Sequence, residues 1–298
     1  MSLGDLEISR RNLLKLAGAS AAAISLPDAQ AKLAQHKQPH LFYTEVGSGR
    51  NVMFIHGWSC DSHDWSWQLP AFESKYHTVA IDLRGHGSSE VTPSGTYKPD
   101  DFVTDIETLI ATKYKGQKFV LIGHSMGGQI AARLAVKRPD LVSAVVSVDG
   151  ALGFSDEVGQ VFAKTVEGLR SSDPGAATAE LFAGAHGPKT DPAFKRWHAR
   201  RAQSMQAHVL REAFPPLFFG PDQVGIGNAS AKFCSTVTVP LYHLCRDPSQ
   251  AERMRHWFSN PKSKVDVWPN SGHWMMQDSP AEMNASVMQW IDAISIGS

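Results

Sequence analysis

The chemistry open to this chain starts at Ser125. The segment Gly123-His124-Ser125-Met126-Gly127-Gly128 sets a hydroxyl between glycines two positions before and two after it. A strand is expected just upstream at 118–122 and a helix just downstream at 129–136. The chain must therefore turn sharply inside the motif and carry the serine at the strained tip of the bend. The Met126 amide then stands at a helix start, where N–H groups have no intrahelical acceptor, and can donate to an oxyanion. A serine hydroxyl is a poor nucleophile without a base in hydrogen-bond reach, and an imidazole, which titrates near neutrality, suits that task. Of the thirteen histidines, His273 has the setting for it. It follows Gly272 in a loop past an expected strand end, and catalytic groups in open sheets gather at the carboxyl ends of strands. His124, inside the bend, should direct its ring away from Ser125 and serve packing or hydrogen bonding.

The elements that must position these groups read as alternating strands and helices. Apolar runs of strand length at 51–56, 78–82, 118–122, 141–148, 238–245 and 264–268 alternate with helical patterns at 66–76, 99–113, 129–136 and 280–294. An edge strand at 41–46 ends in Gly47-Ser48-Gly49. Short apolar strands separated by helices imply an α/β class, with a mostly parallel sheet covered on both faces. From 155 to 235 the pattern changes: helical pieces at 158–169, 176–182, 194–204 and 209–214 are punctuated by prolines and glycines, with no buried strand. That stretch is expected to form a helical cap inserted into a core made of 41–154 and 236–298.

The totals narrow the function classes. The 298 residues are 42% hydrophobic and 19% charged, and 29 basic residues balance 29 acidic ones. A protein that grips nucleic acid through its phosphates needs a basic face, and nothing in the totals suggests one. No run reaches the length of a membrane span, so stable membrane insertion is not expected. Cys60, Cys234 and Cys245 are too few and too odd in number for a disulfide framework; buried thiols are the plain reading. No histidine or cysteine grouping has metal-ligand spacing, and no metal or cofactor is expected.

With the bend at Ser125 flanked by a strand and a helix, the chain resembles the α/β-hydrolase superfamily over residues 41–294. Three further segments carry the resemblance: His56-Gly57-Trp58 after an early strand, Asp82-Leu83-Arg84-Gly85-His86-Gly87-Ser88-Ser89, and Ser271-Gly272-His273-Trp274 after the last strand. The resemblance implies the α/β-hydrolase fold, Ser125 as nucleophile, His273 as base, and an oxyanion hole of the Trp58 and Met126 amides. His56 and His86 would brace their loops. For the acid that orients the histidine, Asp247 after strand 238–245 is the first expectation, although its loop is short for the family; Asp149 after strand 141–148 is the alternative, since some members place the acid there. With serine rather than aspartate at the bend, the aspartate-nucleophile mechanisms of dehalogenases and epoxide hydrolases are disfavoured.

The implied activity is cleavage of a small, fairly hydrophobic ester or lactone through an acyl-enzyme. Trp58, Trp65, Trp197, Phe218 and Trp274 are the candidate pocket residues, with Phe162, Phe182, Phe194, Phe214 and Phe219 as further aromatic side chains of the insertion. The same fold also implies alternatives: a cofactor-free dioxygenase, a haloperoxidase, a carbon–carbon bond hydrolase, or a catalytically silent binding protein. Separately, Ser9-Arg10-Arg11-Asn12-Leu13-Leu14-Lys15, an alanine-rich apolar stretch and an ending at Ala31 resemble a bacterial twin-arginine signal. Residues 1–31 are thus expected to be a signal segment that leads to export in a bacterial source, and the protein is otherwise expected in the cytoplasm.

Overall fold

The structure, a computed structural model, describes residues 38–295; the expected signal segment lies outside them. Seven strands form one sheet in the order β1-β3-β2-β4-β5-β6-β7. They are β1 (Tyr43–Val46), β2 (Arg50–Ile55), β3 (Tyr76–Ile81), β4 (Phe119–His124), β5 (Val142–Val148), β6 (Leu241–Cys245) and β7 (Lys264–Val267). Only β1 runs antiparallel, along β3; every other neighbouring pair is parallel. The central strands are buried along most of their length, which is why they read as continuous apolar runs instead of alternating ones.

Helices α1 (Leu69–Glu73), α2 (Pro99–Lys113), α3 (Met126–Lys137), α10 (Pro248–Met254), α11 (Met275–Asp278) and α12 (Pro280–Ser295) connect or follow the strands. The expected helix at 66–76 is shorter than its pattern, because a 3-10 turn over Ser62–Trp65 precedes it and Ser74 closes it. Between β5 and β6 lie six helices: α4 (Asp156–Leu169), α5 (Pro174–Ala185), α6 (Pro192–Ser204), α7 (Ala207–Ala213), α8 (Pro215–Phe218) and α9 (Gly227–Ser235). Asp173 and Asp191 cap α5 and α6 through side-chain oxygens that accept backbone amides, each with proline at the first helical position. That pairing of cap and proline starts a helix firmly.

Register places the ends of β4, β5 and β6 together. His124 pairs with Val148, and Val148 with Leu244. The residues that follow, Ser125, Asp149 and Arg246, therefore leave the sheet at one edge. Backbone bonds lace these loops: the Ser125 amide donates to Val148 O, the Ala151 amide to Ser125 O, and the Asp149 amide to Leu244 O.

Candidate active site

Ser125 joins β4 to α3 with φ 52° and ψ −118°, a left-handed conformation that costs a non-glycine residue free energy and persists only where the surroundings enforce it. Two glycines enforce it by admitting backbone at close range. A Cβ on Gly123 would lie 2.2 Å from Gly127 O, and one on Gly127 would lie 2.4 Å from Ile55 O. Strand, bend and helix can therefore approach one another only with hydrogen at these positions. The Met126 amide begins α3 and so has no acceptor one turn back.

Across from it, the loop after β2 carries His56-Gly57-Trp58. Leu83 N donates to His56 Nε2 at 2.9 Å, so the ring proton is on Nδ1 and is given to Gly57 O at 2.7 Å. His56 thus fixes the loop that presents the Trp58 amide, and His86 Nδ1 similarly holds Arg84 O at 2.8 Å. Burial pushes the pKa of His56 down and that of His86 down to about 3. Both act as neutral braces, as expected of them. Among the described residues no carbonyl accepts from the Trp58 amide.

The structure corrects the first expectation for the acid. His273 Nδ1 donates to Asp149 Oδ2 at 2.6 Å. Asp247 instead is an exposed residue that caps α10, accepting from Ser249 N at 2.9 Å and from Ser249 Oγ. The reason is local. Pro248 starts α10 immediately after Asp247, so the short loop has no residues with which to swing that carboxylate toward the sheet edge. Asp149, with φ 42°, turns inward and is 2% exposed. Burial alone would raise its pKa; the charge of Arg246 and the hydrogen bond from His273 outweigh it and hold the carboxyl well below the usual carboxylate range.

His273 is held from several sides. Its amide donates to Ala185 O at 2.8 Å, at the end of α5, and its carbonyl accepts from His124 Nε2 at 3.0 Å. His124 therefore supports the loop, as expected, and burial keeps its pKa well below the ordinary value. Trp274 donates through Nε1 to Asp64 Oδ2 at 3.2 Å and stacks on His198 with ring centroids 3.9 Å apart. Asp64 also accepts Arg201 of α6 at 2.7 Å and 3.1 Å and Gln277 at 3.2 Å. A buried ion pair therefore ties the helical insertion to the 3-10 turn after β2, and Trp274, the residue after His273, bonds to the same carboxylate.

Ser125, His273 and Asp149 line one cavity of about 740 Å³. No hydrogen bond joins Ser125 Oγ to the imidazole among the described contacts, a spacing common before substrate closes a site. Of the pocket candidates, Trp58, Phe218 and Trp274 line the cavity, whereas Trp65 and Trp197 do not. Trp65 is buried against Phe54 of β2, with ring centroids 5.1 Å apart, and Trp197 packs on Phe194 and the Arg201 guanidinium. The 3-10 turn places Trp65 among its buried residues, and Trp197 is held on α6 beside Arg201. Phe162, Phe182 and Phe214 line the cavity as well; Phe194 and Phe219 do not. Sequence reading missed Phe154 and Arg246. The first follows a glycine in a loop without periodicity, and the second is the cation one residue past the end of β6, a position that could have been noted.

Cys60, Asp64 and His124 bring one possible ligand atom each within 4.8 Å of one another. Burial pushes the Cys60 thiol well up, away from the thiolate a metal needs, and Asp64 is engaged with Arg201, Trp274 and Gln277. This trio reads as structural. All three cysteines are free and buried, and among the described residues no helix is long and apolar enough to cross a membrane.

A serine on a strained strand-to-helix bend, an imidazole oriented by a buried carboxylate, and two free amides at the end of a parallel sheet define the site of a hydrolase-type α/β protein. The profile of the alpha/beta hydrolase family matches residues 52–286, and the chain belongs to that family. It is 37% identical over 105 residues to a 2-(acetamidomethylene)succinate hydrolase of Mesorhizobium japonicum, a match covering 35% of this chain and 37% of that protein. It is 25% identical over 280 residues to epoxide hydrolase 3 of Xenopus tropicalis, covering 84% of this chain and 74% of that one. Among solved structures, a thermophilic esterase from Thermogutta terrifontis superposes with a TM-score of 0.74 at 22% identity over 88% of this chain and 96% of that one. This last likeness concerns the fold.

Proposed function

We propose that this protein is a serine hydrolase that cleaves a carboxylic ester or lactone of a small, fairly hydrophobic substrate through an acyl-enzyme. One observation carries the reading: the 2.6 Å bond from His273 Nδ1 to Asp149 leaves Nε2 as the basic nitrogen, in the cavity that also receives Ser125. In the reaction Ser125 Oγ bonds to the substrate carbonyl carbon while its proton passes to His273 Nε2. The carbonyl oxygen becomes an oxyanion, held by the Trp58 and Met126 amides. The bond to the leaving oxygen then breaks as His273 returns the proton to it, and water releases the acid by the same two steps. Asp149 keeps the imidazole in the required tautomer and favours its protonated form. Losing one good oxyanion donor costs about 3 kcal/mol of transition-state stabilisation.

The relatives' names support hydrolysis without selecting this substrate. Phe154, Phe162, Phe214 and Phe218 wall the cavity, which favours an apolar acyl or aromatic group. The test is stoichiometric labelling of Ser125 by a fluorophosphonate probe, together with turnover of p-nitrophenyl esters and lactones. Labelling that persists in Ser125→Ala, or an intact protein that neither labels nor hydrolyses any of them, overturns the reading. Export through the arginine-pair segment, in a bacterial source, is a separate proposal, supported by residues 9–31 of the sequence; an N-terminus before Arg10 on protein recovered from its native host would end it.

A further inference from the structure

Arg246 carries guanidinium nitrogens that the serine-hydrolase reading does not use. Its Nε donates to Asp149 Oδ2 at 2.7 Å, the same oxygen that accepts His273 Nδ1 at 2.6 Å. The other arginines that bind buried carboxylates here spend two nitrogens on them. Arg84 gives Nε and Nη2 to the two oxygens of Asp105, and Arg201 gives Nη1 and Nη2 to those of Asp64. Arg246 gives one. No described residue accepts from its Nη1 or Nη2, its side chain is 33% exposed, and it lines the cavity that holds Ser125.

We infer that the Nη1/Nη2 fork of Arg246 is a carboxylate-binding subsite, so that the substrate is an ester or lactone bearing a carboxylate beside its apolar part. This deepens the proposed ester hydrolysis and rests on it. A guanidinium edge with two parallel N–H groups matches a carboxylate bidentately. The fork sits next to the imidazole, since both groups meet on one oxygen of Asp149, so the bound carboxylate lies near the reacting centre. The other charged groups lining the cavity do not replace it. Asp247 is turned to Ser249, and Lys164 and Glu180 are exposed residues of α4 and α5. Arg246 and Asp149 cancel in net charge. The subsite therefore does not gather anions from a distance; it selects the carboxylate that reaches the fork. The aromatic wall takes the remainder of the molecule.

The experiment compares kcat/KM for matched pairs: 4-carboxyphenyl butanoate beside 4-carbamoylphenyl butanoate, which puts the carboxylate on the leaving group, and the phenyl half-ester of glutarate beside its primary amide, which puts it on the acyl end. The wild-type protein is expected to favour the carboxylate member of one pair at least tenfold. Arg246→Gln should cut that ratio at least tenfold, and Arg246→Lys should retain part of it. Both members falling by the same factor in Arg246→Gln would mean that Arg246 only holds Asp149 and would overturn the subsite, as would a wild-type protein without preference; in either case ester hydrolysis stands. Protection of Ser125 from the fluorophosphonate by benzoate against benzamide, and by glutarate against glutaramide, reads the same ratios without turnover. An unlabelled Ser125 would instead remove the hydrolase reading itself.

Discussion

Asp149→Asn tests the site at its most consequential contact. The side chain is buried, accepts the His273 proton at 2.6 Å and carries the full negative charge opposite an imidazole that must become positive in the transition state. Loss of a hydrogen bond to a charged group is worth about 1.5–3 kcal/mol, or roughly 10- to 150-fold in rate. The amide adds a second effect. Its NH2 group, set against Nδ1, favours the imidazole with the proton on Nε2, and that nitrogen can then no longer accept from Ser125. A change of this kind lowers kcat by about 10⁴-fold where the triad chemistry is well characterised, and about 10³- to 10⁴-fold is expected here. Asp247→Asn is the matched control: its oxygen can still cap the Ser249 amide of α10, and activity should stay within about threefold, as for an exposed substitution of up to about 0.5 kcal/mol. The assay is pre-steady-state release of p-nitrophenol from a short-chain ester, with thermal midpoints to confirm folding. A larger loss in Asp247→Asn than in Asp149→Asn would refute the assignment of the acid.

Three other perturbations test the supporting structure. Gly127→Ala puts a methyl 2.4 Å from Ile55 O, against backbone that cannot yield; a loss of about 3 kcal/mol, measured by urea unfolding, is expected together with loss of Ser125 labelling, and a wild-type midpoint would contradict the steric account of the bend. Arg201→Met leaves the buried Asp64 carboxylate without its partner, which should cost about 3–5 kcal/mol, while the double change to Arg201→Met with Asp64→Leu should recover a good part of it; equal midpoints for wild type and the single variant would dismiss the tie between insertion and core. Burial pushes His86 and His198 down to about 3 and His243 to about 4. These rings stay neutral in the fold but protonate in the unfolded chain near 6.5, so stability is full above that pH and falls as the pH drops from about 6.5 toward 4, by up to about 1.4 kcal/mol per pH unit for each histidine. Urea midpoints that stay level between pH 7 and pH 4.5 would count against neutral buried imidazoles.

The strand-to-helix bend was legible because its demands are local. A serine between two glycines, with an apolar run before and a helix after, leaves little freedom for where its hydroxyl goes. The sheet was legible for a similar reason, since strands buried on both faces are mostly apolar without alternation, as Phe119–Ile122 of β4 and Ala144–Val146 of β5 are. The boundaries of the short helices were not. Segments such as Pro215–Phe218, Pro248–Met254 and Met275–Asp278 are too brief to show a helical period, and tertiary contacts decide them. The pocket was only half legible, because an aromatic residue in a helical insertion faces the cavity or the outside according to helix rotation, and spacing alone did not tell Phe162 from Trp197.

The acid shows where a sequence reading has to stop. Asp149 and Asp247 each stand just past the end of a neighbouring strand, β5 and β6, and either strand end lies at the sheet edge that carries Ser125. What separates them is the residue that follows. Gly150 lets the chain after β5 stay pressed against α3, where a Cβ would lie 3.4 Å from the Gly128 Cα and closer still to Ser147 Oγ, so the backbone at Asp149 is drawn inward. Pro248 sends the chain after β6 straight into a helix, and Asp247 becomes its cap. The cation between the two strand ends then completes the choice. Arg246 gives its Nε to the carboxylate that is buried, on the same oxygen that accepts His273 Nδ1. On this argument, Asp149→Asn leaves the Arg246 Nε without its carboxylate, so a glycine inserted between Asp247 and Pro248, which releases Asp247 from capping α10, should restore part of the ester hydrolysis that Asp149→Asn loses; an insertion variant as inactive as Asp149→Asn alone would show that loop length does not make the choice.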